Sequence, residues 1–150
     1  MRDKITKAMK DAMRDKDQVR LCTLRLMLAA LKDREIANRG EEGPPEITEP
    51  DALALFDKMV RQREESSATY EEAGRMELAE RERAEIAVIK QFLPKPLSGP
   101  EVEAAIEAAI TDTGASSIRD MGKVMGHLKS HHAGRMDFGA AGARVKAALG

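Results

Sequence analysis

Residues 114–134 read GASSIRDMGKVMGHLKSHHAG, and the way this stretch folds decides how the rest of the chain is read. Gly114 predicts a helix stop, because glycine enters the left-handed conformation without a Cβ penalty. Ser117, with Asp120 three residues later, has the spacing of a capping box, so a new helix follows. Met121, Val124, Met125 and Leu128 recur at helical spacing and define that helix's inner side. Gly122 and Gly126 lie four residues apart and share a face. Each costs roughly 1 kcal/mol of helix stability relative to alanine. Two such costs in one short helix predict that another backbone or a ligand comes close. Lys123, His127, Lys129, His131, His132 and Arg135 make the stretch basic.

Two more helices flank it. Upstream, Ser98 with Pro100 and Glu101 forms another capping box, followed by an apolar stripe of Val102, Ala105, Ile106, Ala109 and Ile110. Downstream, Asp137 caps a helix carrying Phe138, Val145 and Leu149. Residues 98–150 therefore read as a small three-helix domain. A core that small is marginal alone, so docking on the rest of the chain or on a partner is expected. Pro94 and Pro96 break the preceding helix and make residues 94–97 a linker.

Residues 1–93 read as an N-terminal helical bundle. Ile5, Met9, Ala12 and Met13 form the stripe of a short first helix. Asp17 caps a second, running through Val19, Leu21, Leu24, Met27, Leu28 and Leu31 toward Ile36, whose wide apolar face makes it the expected centre of the bundle. GEEGPPEI, residues 40–47, is a predicted loop. Thr48 caps a third helix through Leu53, Phe56, Met59, Val60, Ser67 and Tyr70 to a stop at Gly74. Arg75, Met76, Leu78 and Ala79 suit a short helical turn, and residues 82–92 suit a closing helix with Ile86, Ile89, Phe92 and Leu93 inward. The fold class expected is all-α.

Aromatics make up only 3% of the chain and Trp is absent, while Met occurs nine times, so the core must be aliphatic and thioether. No apolar run approaches the roughly 18–20 residues needed to span a bilayer, so no membrane association is expected. The N-terminal stretch lacks the apolar centre of a secretory signal. The single Cys22, between Leu21 and Thr23, reads as a buried inert thiol and points to the cytoplasm. Charge is unevenly spread. Residues 1–39 hold 11 Lys/Arg against 6 Asp/Glu, residues 40–93 hold 7 against 14, and residues 119–150 hold 6 against 2. A polyanion would avoid the middle and meet one or both ends. The N-terminal excess is also explained if the first two helices pair electrostatically with the next two.

No catalytic constellation emerges. Phosphate-binding and dinucleotide-binding glycine loops are absent from the sequence, and so is any strand to carry them. Ser66 and Ser67 lie within a helix, without the lysine or glycine loop that serine chemistry needs; Ser117 has a capping role beside Ser116. No catalytic residue and no cofactor is expected. His127 and His131 share a helix face, as metal ligands often do, but no third ligand is evident. Solvent-facing histidines that add positive charge at low pH are the expected reading, and no metal site is assigned.

IRDMGKVMGHLKSHHAGRMD, residues 118–137, resembles the tail shared by the YqeY family and the B subunit of the tRNA-dependent amidotransferase. RQREESSATYEEAGRMELAERERAEIAVIKQFLPKPLS resembles the acidic helices and Leu-Pro junction of stand-alone YqeY proteins. MKDAMRDKDQVRLCTLRLMLAALKDREI resembles their N-terminal hairpin. The family usually has a residue other than proline at position 96, so this linker should be stiffer than most. The resemblance implies an all-helical, two-part accessory protein linked to tRNA in aminoacylation or transamidation. Gly122, Lys123 and Gly126 match the motif's G-K-V-M-G part, and Gly134 with Arg135 its later turn. These are the RNA-binding candidates, with Lys129 and Arg119 added on charge. Beside a helix–helix contact, the glycine face then has a second reading as an approach path for a phosphate backbone or RNA groove. No DNA partner is expected. Docking of an aminoacyl-tRNA synthetase or an amidotransferase through the acidic helices and glycine face is an alternative. The family is also labelled a carbon–nitrogen ligase with glutamine as amido-N-donor, but this sequence has nothing like the catalytic cradle, ATP site or zinc site of the B subunit.

Overall fold

The structure is a computed structural model and describes residues 1–40 and 46–150. Those residues form an all-α protein of seven α-helices and one 3₁₀ turn. They divide into two compact units, Met1–Leu93 and Pro94–Gly150. Of the predicted loop at 40–47, residues 41–45 lie outside the described residues.

In unit 1, α1 (Arg2–Arg14) packs on α2 (Gln18–Asn38), and α3 (Glu49–Glu72) packs on α4 (Met76–Lys90). α2 also touches both α3 and α4, which makes it the central helix. The Asp17 carboxylate accepts the Arg20 N–H at 3.1 Å, and the Thr48 hydroxyl accepts the Asp51 N–H at 3.3 Å. These contacts satisfy helix-start donors that would otherwise have no partner. Gly74 takes φ +74° between α3 and α4, where a side chain would be strained. Ile5, Leu24, Met27, Leu31, Phe56 and Ile89 are fully buried at the centre.

Several expectations for unit 1 are corrected. Met13, Val19 and Ile36 are exposed, because successive helical residues turn by about 100° and theirs point away from the core. Cys22 is exposed, whereas its neighbour Thr23 is buried and donates to the Val19 carbonyl at 2.8 Å. Residues 76–90 form one continuous helix, not a turn followed by a helix from 82. Its start is solvated, with Met76 and Leu78 exposed and only Ala79 buried. Among the described residues no ion pair joins α1 or α2 to α3 or α4. Arg63 instead reaches Glu85 at 2.9 Å, Arg83 reaches Glu71 at 2.7 Å and Lys90 reaches Glu64 at 3.9 Å, all between α3 and α4.

In unit 2, α5 (Gly99–Thr113) opens with the complete Ser98–Glu101 capping box and closes on Gly114 at φ +68°. The 3₁₀ turn (Ile118–Asp120) leads into α6 (Met121–His131), and α7 (Phe138–Leu149) starts from the Asp137 cap. Ile106, Ala109, Val124, Leu128, Met136 and Val145 form the core. Ser117 does not cap with its side chain. The Asp120 carboxylate does the work from the other end, accepting the Ser116 N–H at 3.0 Å. Pro94–Leu97 is held to the tail: the Leu97 N–H donates to the Arg135 carbonyl at 2.8 Å, and Arg135 Nε donates to the Lys95 carbonyl at 2.9 Å.

Candidate nucleic-acid interface

α6 is anchored by Val124 and Leu128, both fully buried, with Met121 and Met125 packed beside them. At about 100° per residue, this inner side fixes where everything else on the helix points. Gly122, Gly126 and Lys129 fall within about 60° of one another on one flank. Lys123 and Ser130 point away from the core. All five are exposed.

The glycines answer the question the sequence raised. A Cβ built on Gly122 or Gly126 would meet nothing within 4 Å. Among the described residues of unit 2, no neighbouring helix packs against these two glycines. The glycine that does face packed side chains is buried Gly142 of α7, where a Cβ would lie 3.6 Å from the Met121 methyl and 3.9 Å from that of Met125. The two α6 glycines leave a smooth strip of helix backbone, bordered by Lys129 and Lys123. The Lys123 side chain is 72% exposed, and its one ion-pair contact among the described residues is a loose 4.0 Å approach to Asp120.

Arg119 lies exposed on the 3₁₀ turn that starts α6. Asp120 beside it is committed to that turn, and the donated Ser116 N–H holds its carboxyl below the usual range. Gly134 and Arg135 lie apart from the strip in role. Gly134 is buried with φ +73°, which forms the turn after α6, and Arg135 fastens that turn to Lys95. Of the residues singled out from sequence, Arg119, Gly122, Lys123, Gly126 and Lys129 are thus on the exposed side of the 3₁₀ turn and α6. Gly134 and Arg135 lie in the turn after α6, Gly134 buried and Arg135 half-buried. Ser130, two turns further along the helix on the same face as Lys123, adds an exposed hydroxyl, and its spacing of seven residues from Lys123 is the signal in the sequence.

The histidines are on the opposite flank. The His127 and His131 rings stack with centroids 4.1 Å apart at 17°, and His131 Nδ1 lies 2.9 Å from the His127 carbonyl. His127 Nε2 lies 3.5 Å from the Asp112 carboxylate of α5. His127 and His132 are only partly exposed, which corrects the expectation of solvent-facing rings. Among the described residues no three metal-ligating side chains converge. Burial, with Arg135 and the other two histidines adding to it, pushes the His132 pKa below its ordinary value. Its Nδ1 is buried with no hydrogen-bond partner among the described residues, so a proton placed there would gain no acceptor.

Comparison with known proteins agrees across the chain. The model of the family described as Yqey-like protein matches residues 2–149. A Lachancea thermotolerans protein named altered inheritance of mitochondria protein 41, mitochondrial, is 32% identical over 110 residues, covering 72% of this chain and 57% of the relative. The Saccharomyces cerevisiae protein of that name is 27% identical over 129 residues, covering 80% of this chain and 65% of its own length. An uncharacterised Schizosaccharomyces pombe protein is 30% identical over 94 residues, covering 63% of this chain and 72% of its own length. The chain thus spans little more than half the length of the Lachancea relative. No described helix is long and apolar enough to cross a membrane.

Proposed function

The chain belongs to the Yqey-like protein family, and from that premise we propose that it is a non-catalytic accessory protein that binds tRNA through unit 2. The observation that carries this reading is the strip on α6. Gly122 and Gly126 lower helix stability, a Cβ on either would meet nothing within 4 Å among the described residues, and exposed lysines border them. Such a surface admits a phosphate backbone close to the helix while supplying cations at its edge. Recognition would be by shape and phosphate, since Phe138, the single aromatic of unit 2 besides the histidines, packs against the core and offers no stacking platform. The context proposed is aminoacylation or transamidation, in the cytoplasm for this chain. The mitochondrial names belong to the yeast relatives.

Binding of total tRNA to the full-length chain across a salt series tests the proposal. The affinity should fall steeply with salt, and Lys123→Glu with Lys129→Glu should reduce the log–log slope by roughly 1.5. Absence of salt-dependent binding at low ionic strength, or a slope unmoved by the double reversal, would overturn it.

A further inference from the structure

α2 carries a second apolar seam, on the side away from the core. Val19, Cys22, Leu26, Ala29 and Ile36 follow one another at the a and d positions of a heptad pattern. They lie on the side of the helix opposite buried Leu24, Met27 and Leu31. Val19 is 43% exposed, Leu26 46% and Ile36 47%, and Cys22 and Ala29 are exposed with them. Isolated exposed aliphatics are ordinary, but several in register along one helix make a strip. Asp33 interrupts it between Ala29 and Ile36.

The edges of the strip differ. Arg25 and Lys32, followed by Arg39 at the helix end, mark one edge at seven-residue intervals. All three are exposed, and none forms an ion pair among the described residues. Ala30 and Ala37 line the other edge above buried Thr23, and none of the three carries charge. The strip is therefore a seam with cations on one side only.

We propose that this face docks an amphipathic helix of another protein, one with its own three–four apolar seam and carboxylates along one edge. A nucleic-acid backbone is a poor occupant, because phosphates gain nothing from Val19, Leu26 and Ile36. A second copy of this chain is disfavoured. An antiparallel pair would set Arg25 and Lys32 against their own counterparts, and a parallel pair would set them against neutral Ala30 and Ala37. An anionic membrane calls for a broader face with bulkier side chains than this narrow strip. An acidic helix satisfies both the seam and its charged edge.

The test titrates the full-length chain with two synthetic peptides of about three heptads, the length that matches α2. Both carry leucine at the a and d positions. One has glutamate and the other lysine at e and g, so neither pairs with itself and helicity reports binding. The glutamate peptide should become helical on mixing and the lysine peptide should not. Leu26→Glu should weaken binding by about tenfold or more and leave thermal unfolding unchanged, because the side chain is exposed. Arg25→Glu with Lys32→Glu should reverse the preference between peptides. Lys123→Glu with Lys129→Glu should leave peptide binding intact, which separates this face from the proposed tRNA surface. Equal binding of the two peptides, binding of neither, or indifference to Leu26→Glu would overturn the proposal. So would a dimer of the chain alone that Leu26→Glu converts to monomer, or capture on anionic vesicles that Leu26→Glu abolishes.

Discussion

The α3–α4 hairpin and α6 are both rich in charge, and they use it in opposite ways. In the hairpin, cations are turned toward carboxylates of the neighbouring helix. Arg63 and Glu85 meet with only 16% and 12% of their side chains exposed, and the Arg63 guanidinium also donates to the Met59 carbonyl at 3.2 Å. In α6, Lys123 and Lys129 are exposed beside two glycines at which an added Cβ would meet nothing within 4 Å among the described residues. Charge in the first region stabilises the fold. Charge in the second is left available, next to a helix surface that the fold weakens without structural return. The contrast teaches that net charge by segment does not locate a binding face. What matters is whether the charges are already spent on one another.

The largest expected effect sharpens this contrast directly. Arg63→Ala leaves Glu85 mostly buried with Arg81, at 3.7 Å, the one cation still paired with it among the described residues, and should cost about 2 kcal/mol of unit 1 stability. Lys123→Ala should change stability by less than about 0.5 kcal/mol. Denaturant melts of the two variants measure both, and equal costs would break the comparison. Next in size, Gly122→Ala and Gly126→Ala should each raise unit 2 stability by roughly 0.5–1 kcal/mol, since alanine suits a helix better and its methyl meets open space. A loss instead would mean that the strip is packed after all.

The smallest expected effect is a pH dependence from His132. Its folded pKa lies below 6.5, so the folded state favours the neutral ring. That contribution is complete above the unfolded value and is lost as pH falls through about 6.5 toward the folded pKa. Melting temperature should therefore decline on acidification in this window, and His132→Asn should flatten the decline. Glu101 and Asp120, both held low by hydrogen bonds to the backbone at Ser98 and Ser116, add their losses only at more acid pH.

Helix starts and stops were the most legible features of the sequence. Asp17, Thr48, Ser98 and Asp137 cap as their side-chain chemistry requires, and Gly74 and Gly114 stop helices because their φ is positive. Which way each side chain points was less legible. Val19 and Ile36 are as apolar as Leu24, and only the packing of the other helices shows that α2 has two apolar sides. Cys22 was misjudged for the same reason, since composition favours burial but its angle on the helix decides otherwise. Ser117 has the right spacing for a cap, yet the backbone enters the 3₁₀ turn and Asp120 takes the role. At the candidate interface, spacing placed Gly122 and Gly126 on one face, but it could not distinguish a packed face from an open one. Arg135 looked like a surface cation, and its tether to Lys95 joins residues 40 apart in the chain, beyond the reach of local patterns.

The most direct test replaces both strip glycines with leucine and measures melting and tRNA affinity on the same full-length protein. A Cβ at Gly122 or Gly126 meets open space, and leucine is a far better helix former than glycine. The account predicts that Gly122→Leu with Gly126→Leu melts no lower than the parent chain while its salt-dependent tRNA binding is lost. Unchanged tRNA binding by a protein that melts normally would contradict it.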